Sequence, residues 1–562
     1  MDSKLVYRSL RQISQWTLDG FYSEVHVSGQ ENIPEEGPLI ITPCHHNEIL
    51  DIATLSVTIP HRRPVCFWAK SSMFANPIAR AIMTSSGSIP VRRNPNRTAG
   101  AGEKSEHGAD SHFALFRETF RALDKGEVVG VFPEGTSYTE PHIAQVKEGA
   151  AWAALEYARW QMQHAAEYAE GSPKKLVIVP VGVVYTDKTR FQSKVLVRYG
   201  EPIDVEAYAR RHLASNDPRA EVKELTAEIE KRLVDLTINA KDWDHHLAGT
   251  IVREICYPRL DESAPDSYVK HSQELMSRLE EERPDVTSKL ATYAGLLHHT
   301  GLTHLALSSL YPLPTLPSRP SALFILLRES LTTLVHPRFL AFLPMALLHA
   351  PAYASGALAG RFLANRREPE TIAEHKAVCA GLAFGATSAL VGNRIAQTLH
   401  EGLCTAVKTG RLSGLPSAIV KACAWATRKG SLSASIARLA GTAVVIYCTT
   451  WLLFRWHRAL VGWNYERMQR VSAAWTVALG VWFPPSRALT SAELERTSRS
   501  PLPKTNAFIK RASAPSPLPE IPRPPKHQVP SPRALVAHLF TVRAQAEAVS
   551  QQLLTARHAT SS

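Results

Sequence analysis

The stretch Pro38-Leu-Ile-Ile-Thr-Pro-Cys-His-His-Asn-Glu-Ile-Leu-Asp51 reads as a buried strand that runs into a loop and then a helix. Its apolar start suits a strand, Asn47 suits a helix start, and residues 48–55 can follow as the first turns. His46 and Asp51 are five residues apart. On a continuous helix that spacing turns the chain by roughly 500° and leaves the two side chains about 140° apart. They can meet only across a turn. The reading therefore puts His46 in the turn, facing Asp51. One ring nitrogen would then donate to the carboxylate, leaving the other to take a proton. Taken alone, the pattern also fits two polar residues at a helix start.

Three more blocks follow: Gly87-Ser-Ile-Pro-Val-Arg-Arg93, Val131-Phe-Pro-Glu-Gly-Thr-Ser137 and Val177-Ile-Val-Pro-Val-Gly182. In this order the four blocks resemble motifs I to IV of the glycerolipid acyltransferase family, over residues 20–245. Three features resemble the fungal-type glycerol-3-phosphate and dihydroxyacetone-phosphate acyltransferases. They are His-His-Asn ahead of the aspartate, Tyr185-Thr-Asp-Lys-Thr-Arg-Phe-Gln-Ser-Lys194 ahead of Val197-Arg-Tyr-Gly-Glu-Pro202, and a hydrophobic second half.

The resemblance implies sn-1 acylation of glycerol 3-phosphate or dihydroxyacetone phosphate by acyl-CoA, a co-substrate, with no cofactor. His46 would be the general base and Asp51 its orienting partner, with no task for His45. Arg93, assisted by Arg92, would hold the acceptor phosphate through its planar fork. Glu134, Gly135, Thr136 and Ser137 would line the acceptor site, where Gly135 lets the backbone turn sharply and Glu134 accepts from hydroxyls or orients Arg93. Pro180 would shape the acyl or acceptor pocket. Lys70, Lys188, Arg190 and Lys194 could meet CoA phosphates or simply face solvent. A metal is not expected, because no other histidine or cysteine stands at ligand spacing near His46. Lysophosphatidate acylation shares every motif residue and is the alternative within the family. Intact His46, Asp51, Arg93 and Glu134 argue against an inactive membrane scaffold.

The net charge of +13 fits anionic membranes or substrates, and nucleic acid equally. The chain lacks zinc-finger spacing, an aromatic single-strand platform and a basic helix with heptads, which argues against nucleic acid. Seven scattered cysteines without a Cys-x-x-Cys pair suit free thiols in a reducing compartment. Lys4, Arg8, Arg11 and Asp19 interrupt any apolar leader, so no cleaved signal peptide is expected.

Strands and helices alternate through residues 23–245, which predicts a catalytic domain with a central α/β sheet flanked by helices. Residues 1–22 form an interfacial or packing helix ahead of it, and residues 93–111 read as a mobile surface loop. Residues 246–320 are a helical region and linker, and residues 321–484 are membrane-associated helices. Three apolar runs lie there, 339–360, 377–393 and 439–454, and the first is long enough to cross a bilayer core of about 30 Å. Residues 471–483 suit the interface, with Trp475 and Trp482 at headgroup level. Residues 485–532 form a disordered Pro-rich linker and residues 533–562 a C-terminal helix. Membrane lipids are the expected partners, in the endoplasmic reticulum membrane with the catalytic domain facing the cytosol.

Overall fold

The computed structural model describes residues 5–91, 108–163, 174–215, 217–258, 265–365, 367–412, 414, 416–427, 431–504, 506, 508–509 and 530–560. Two compact units emerge. The first comprises Met1–Arg328, Arg366–Glu374 and Gln469–Ser562, and the second Glu329–Asn365 and His375–Met468.

The first unit opens with α1 (Leu5–Phe21), β1 (Glu24–Ser28), β2 (Leu39–Pro43), α2 (Glu48–Thr58), β3 (Val65–Lys70), α3 (Pro77–Ser85) and β4 (Ile89–Val91). It continues with α4 (Gly108–Asp124), β5 (Val128–Gly130), α5 (Gly149–Gln163), β6 (Val177–Tyr185), β7 (Lys194–Tyr199), β8 (Ile203–Asp204), α6 (Glu206–Ala214) and α7 (Pro218–Leu236). The eight-stranded sheet runs β1-β7-β6-β2-β5-β3-β4, with β8 against β6. β2 lies parallel to β5 on one side and to β6 on the other, pairing Ile41 with Gly130 and with Val179. Every residue of β2 is buried, as expected of a near-continuous apolar strand inside a parallel sheet. Because β5, β6 and β3 run the same way, their carboxyl ends meet at one edge, where α/β sheets place their ligand crevices.

The stretch between β3 and β4 holds a short turn, Ser71–Phe74, and then α3. Asn76 stops the preceding turn and caps α3, its Oδ1 accepting from the backbone of Ile78 at 2.9 Å and Ala79 at 3.2 Å, with Pro77 as the first helical residue. α1 packs on the domain through Tyr7, Leu18 and Phe21, and the Tyr7 hydroxyl accepts from the backbone of Val65. Its other face leaves Leu5, Ile13 and Trp16 exposed.

The rest of the first unit builds a second core. Helices Trp243–Cys256, Pro284–Thr300, His304–Leu310 and Pro532–Thr560 bury Val252, Leu296, Leu307, Leu535, Val536 and Leu539 together. The C-terminal helix is thus docked. Its Arg543, 1% exposed, pairs with Glu547 at 2.6 Å and donates to the carbonyl of Tyr311 at 2.7 Å. Ala473, Ala474 and Val477 are buried in this core, while Trp475 is exposed. Part of the stretch expected at an interface is therefore protein-packed. Within the expected Pro-rich linker, Ser491–Thr497 is a short helix with a complete Thr490–Glu493 capping box, and residues 510–529 lie outside the described residues.

The second unit holds most of the three helices long and apolar enough to cross a membrane: Pro337–Phe362, Pro369–Lys408 and Leu432–Trp482. Leu347, Leu382, Leu390 and Leu439 on them are exposed. Inside this unit the Tyr353 hydroxyl bonds His457 Nε2 at 2.5 Å, and the His457 ring stacks on His349. Arg467 pairs with the buried Glu329 at 3.1 Å.

Candidate active site

The chain leaves β2 at Pro43, and residues 44–47 cross to α2. Asn47 stands at the helix start but caps nothing with its side chain. Instead its backbone N–H donates to Asp51 Oδ2 at 2.7 Å, and its amide donates to the Tyr22 hydroxyl at 3.0 Å. This backward bond fixes Asp51 in the first turn, fully buried.

The histidine that meets Asp51 is His45. Its Nδ1 lies 2.9 Å from Asp51 Oδ2, so the expectation that His46 faces the carboxylate is corrected. Neighbouring side chains in an extended exit from a strand point to opposite sides, so only one of the pair can turn toward α2. The separation of six residues is accommodated at Glu48, which adopts a left-handed φ of 42°. The His46 ring instead lies edge-on to Tyr138, and its carbonyl accepts from Lys188 Nζ at 3.0 Å. Burial, and after it the Lys188 charge, push the His46 imidazole down to about 4. It is neutral at ordinary pH.

Asp51 accepts three hydrogen bonds, the third from the Tyr185 hydroxyl at 2.6 Å. Burial alone would raise its pKa, but the bonds from His45, Tyr185 and Asn47 overcome that and hold the carboxyl below its ordinary value. An ionised Asp51 can only accept, so His45 carries its proton on Nδ1 and keeps Nε2 free as a base. Phe132 stacks on the His45 ring at 3.9 Å between centroids and fixes its plane.

The second wall follows β5. Val131 N–H donates to Ile41 O, so the strand partner of β2 delivers Glu134 next to the loop of residues 44–47. Glu134 is fully buried, and its Oε1 accepts the backbone N–H of His45 at 2.5 Å. Burial pushes this carboxyl up to about 7. Gly135 has φ 77°, a left-handed conformation that favours glycine, and a Cβ there would only push aside the flexible end of Lys147. Ser137 Oγ donates to Glu48 Oε1 at 3.2 Å, which ties this turn to the strained residue.

Residues 24–184 match the family model described as Acyltransferase. This stretch is the chain's acyltransferase-like domain. The chain is similar to the glycerol-3-phosphate O-acyltransferase 2 of Saccharomyces cerevisiae, 31% identical over 144 residues, or 25% of this chain and 18% of the relative. It is also similar to glycerol-3-phosphate O-acyltransferase 1 of the same yeast, 24% identical over 196 residues, or 34% of this chain and 24% of the relative. The chain thus spans about a fifth of the length of these two relatives. Among solved structures, the 1-acyl-sn-glycerophosphate (LPA) acyltransferase PlsC of Thermotoga maritima is similar, with a TM-score of 0.27, 18% identity, and coverage of 41% of this chain and 78% of that one.

In the acyltransferase domain, His45, Asp51, Glu134 and Ser137 converge, while Thr136 Oγ1 reaches only the Ser137 carbonyl, at 3.4 Å. Arg92 and Arg93 lie outside the described residues. Pro180 is buried in β6. It pairs with Thr42 inside the sheet, one residue short of the end of β2, and its carbonyl accepts from Gly200. Lys188 is also reassigned, since its Nζ is committed to His46 O and to Thr139 Oγ1 at 2.6 Å. Lys194 pairs with Glu24 at 3.2 Å on the β1–β7 side. Lys70 is exposed at the end of β3, and Arg190 is half-buried with its Nε unbonded. Among the described residues no group of three metal-ligating side chains occurs.

Sequence reasoning passed over His45, Tyr185, Tyr22 and Tyr138. Tyr185 had a usable signal, being a polar-tipped aromatic at the end of a buried strand parallel to the one that carries the histidine.

Proposed function

We propose that the chain transfers an acyl group from acyl-CoA to the sn-1 hydroxyl of glycerol 3-phosphate, or to the hydroxyl of dihydroxyacetone phosphate, from a membrane of the endoplasmic reticulum facing the cytosol. The observation that carries this reading is the His45–Asp51 pair at the carboxyl end of β2, inside the acyltransferase domain. The printed names of the two yeast relatives support the acceptor, and the three apolar helices support the membrane.

In the reaction, His45 Nε2 removes the acceptor hydroxyl proton while that oxygen bonds to the thioester carbonyl carbon. Asp51 stabilises the imidazolium that forms. The tetrahedral species then breaks its C–S bond, and the departing CoA sulfur takes the proton back from His45. No acyl-enzyme is needed, because the thioester is already activated. Arg93 and Arg92 hold the acceptor phosphate in this scheme, Glu134 fixes the His45 backbone, and no cofactor takes part.

Membranes carrying the full chain, supplied with acyl-CoA and glycerol 3-phosphate, dihydroxyacetone phosphate or lysophosphatidate in turn, test the proposal. Product from either of the first two is expected. Product from lysophosphatidate alone would replace the acceptor assignment, and product from none would overturn the activity.

A further inference from the structure

We infer that Glu370, which lies in the connector between two apolar helices and outside the acyltransferase domain, is a positioning residue for the His45–Asp51 pair. The inference rests on the function proposed above. The connector between the helices Pro337–Phe362 and Ile372–Lys408, with the first residues of the second helix up to Glu374, groups with the catalytic unit. Glu370 stands on the short turn Pro369–Thr371 and is 6% exposed. Its Oε2 accepts the hydroxyl proton of Thr139, just beyond the Glu134–Ser137 turn. The Thr139 oxygen in turn accepts from Lys188 Nζ at 2.6 Å, and the same ammonium donates to the His46 carbonyl at 3.0 Å.

These bonds form a chain from Glu370 through Thr139 and Lys188 to the peptide that links the two halves of the catalytic pair. The Lys188 carbonyl closes the clamp by accepting from the Asn47 amide at 3.4 Å. The connector has a second hold on the catalytic unit, since Lys504 N–H donates to Arg367 O at 2.7 Å.

The clamp needs an acid because its lysine is buried. Burial pushes Lys188 down to about 8, and Glu370 is the largest of the charges that hold it up, followed by Asp51, Glu134 and Asp187. His46 faces the same ammonium and is itself neutral at ordinary pH. Without the Glu370 charge, Lys188 sheds its proton within the working pH range and loses donors to Thr139 and His46. The loop of residues 44–47 then loosens.

The test is Glu370→Gln in the full chain, which keeps an acceptor for Thr139 and removes only the charge. The expected result is a fall in kcat of ~10-fold, as for weakening one charge-assisted hydrogen bond, with both KM values within ~2-fold. The alkaline limb of the kcat profile should move ~1 pH unit downward, a readout that a merely structural role would leave in place. Glu368→Gln, on the same connector, should leave kcat within ~2-fold, as for an exposed pair. Backbone amide exchange over residues 44–51 should quicken in Glu370→Gln, and this needs no turnover. An active wild type beside a Glu370→Gln variant with unchanged kcat, pH limb and exchange would overturn the inference. A wild type that acylates no glycerophosphate would sink the proposed function alone, and the exchange rates would still decide whether Glu370 holds the loop.

Discussion

Replacing Asp51 by asparagine should cost less than a buried catalytic carboxylate suggests, for a reason visible in its bonds. Oδ2 receives two N–H groups, from His45 Nδ1 at 2.9 Å and from the Asn47 backbone at 2.7 Å, whereas Oδ1 receives only the Tyr185 hydroxyl. An asparagine NH₂ at the Oδ2 position would face a backbone donor that cannot turn round. The amide oxygen therefore takes that place. The NH₂ then meets the Tyr185 oxygen, whose hydroxyl hydrogen can rotate away to let that oxygen accept. His45 thus keeps its Nδ1–H tautomer, and the loss is confined to charge. A hydrogen bond to a charged group is worth ~1.5–3 kcal/mol against ~1 for a neutral pair, and the imidazolium also loses its counter-ion, which together amount to about 1–3 kcal/mol. At ~1.4 kcal/mol per decade, kcat should fall ~10- to 10²-fold. Asp51→Ala, which leaves the ring unoriented, should fall further, by ~10²–10⁴-fold. Thiol release at saturating substrates measures both. An asparagine variant as slow as the alanine variant would refute the argument, because it would mean that the Asn47 N–H does not decide the amide's orientation.

Removing the base by His45→Ala should lower kcat by ~10²–10⁴-fold, with His46→Ala costing far less; the reverse order in the same assay would restore His46 as the base. The buried Glu134, pushed up to about 7 from an ordinary 4.5, holds its proton more tightly in the folded chain than in the unfolded one. Stability should therefore fall as pH rises from about 4.5 to about 7, by roughly 3 kcal/mol, and Tm against pH should flatten over that window in Glu134→Gln. Arg93→Lys keeps the charge and loses the fork, so the acceptor KM should rise ~10- to 100-fold with the acyl-CoA KM little changed; a rise in the latter instead would place Arg93 on the CoA phosphates. Leu539→Ala, on the fully buried face of the C-terminal helix, should cost ~2–5 kcal/mol in denaturant unfolding, and a cost below ~1 would show that this helix is not docked in solution.

The frame of the domain was readable because its main signals are local. The run from Leu39 to Ile41 and the run through β6 are apolar without a break, and that is what a strand flanked by parallel neighbours must be. Choosing between His45 and His46 was not a local problem. It turned on a left-handed φ at Glu48, a residue type that does not advertise one, so counting residues to Asp51 picked the neighbour. The place of Pro180 was not a local matter either, since its motif is distinctive but its position is set by pairing with Thr42. Glu370 could not have been found, being 231 residues from the threonine it bonds. The Thr490-Ser-Ala-Glu493 capping box was written in the sequence and hidden by the prolines that follow it.

The docked connector also constrains arithmetic. A segment hydrogen-bonded to the catalytic loops must lie on the same side of a bilayer as those loops. The chain departs from that unit after Arg328 and is back on it by the segment Arg366–Glu374, then departs again and returns at Gln469. If the apolar helices insert in a bilayer, each excursion crosses it an even number of times or not at all, and the first excursion holds one of the three helices. Ile372–Lys408 and Leu432–Trp482 can supply one out-and-back pair. If the helix Pro337–Phe362 inserts, it must then bend at Pro344 and Pro351 and leave by the face it entered.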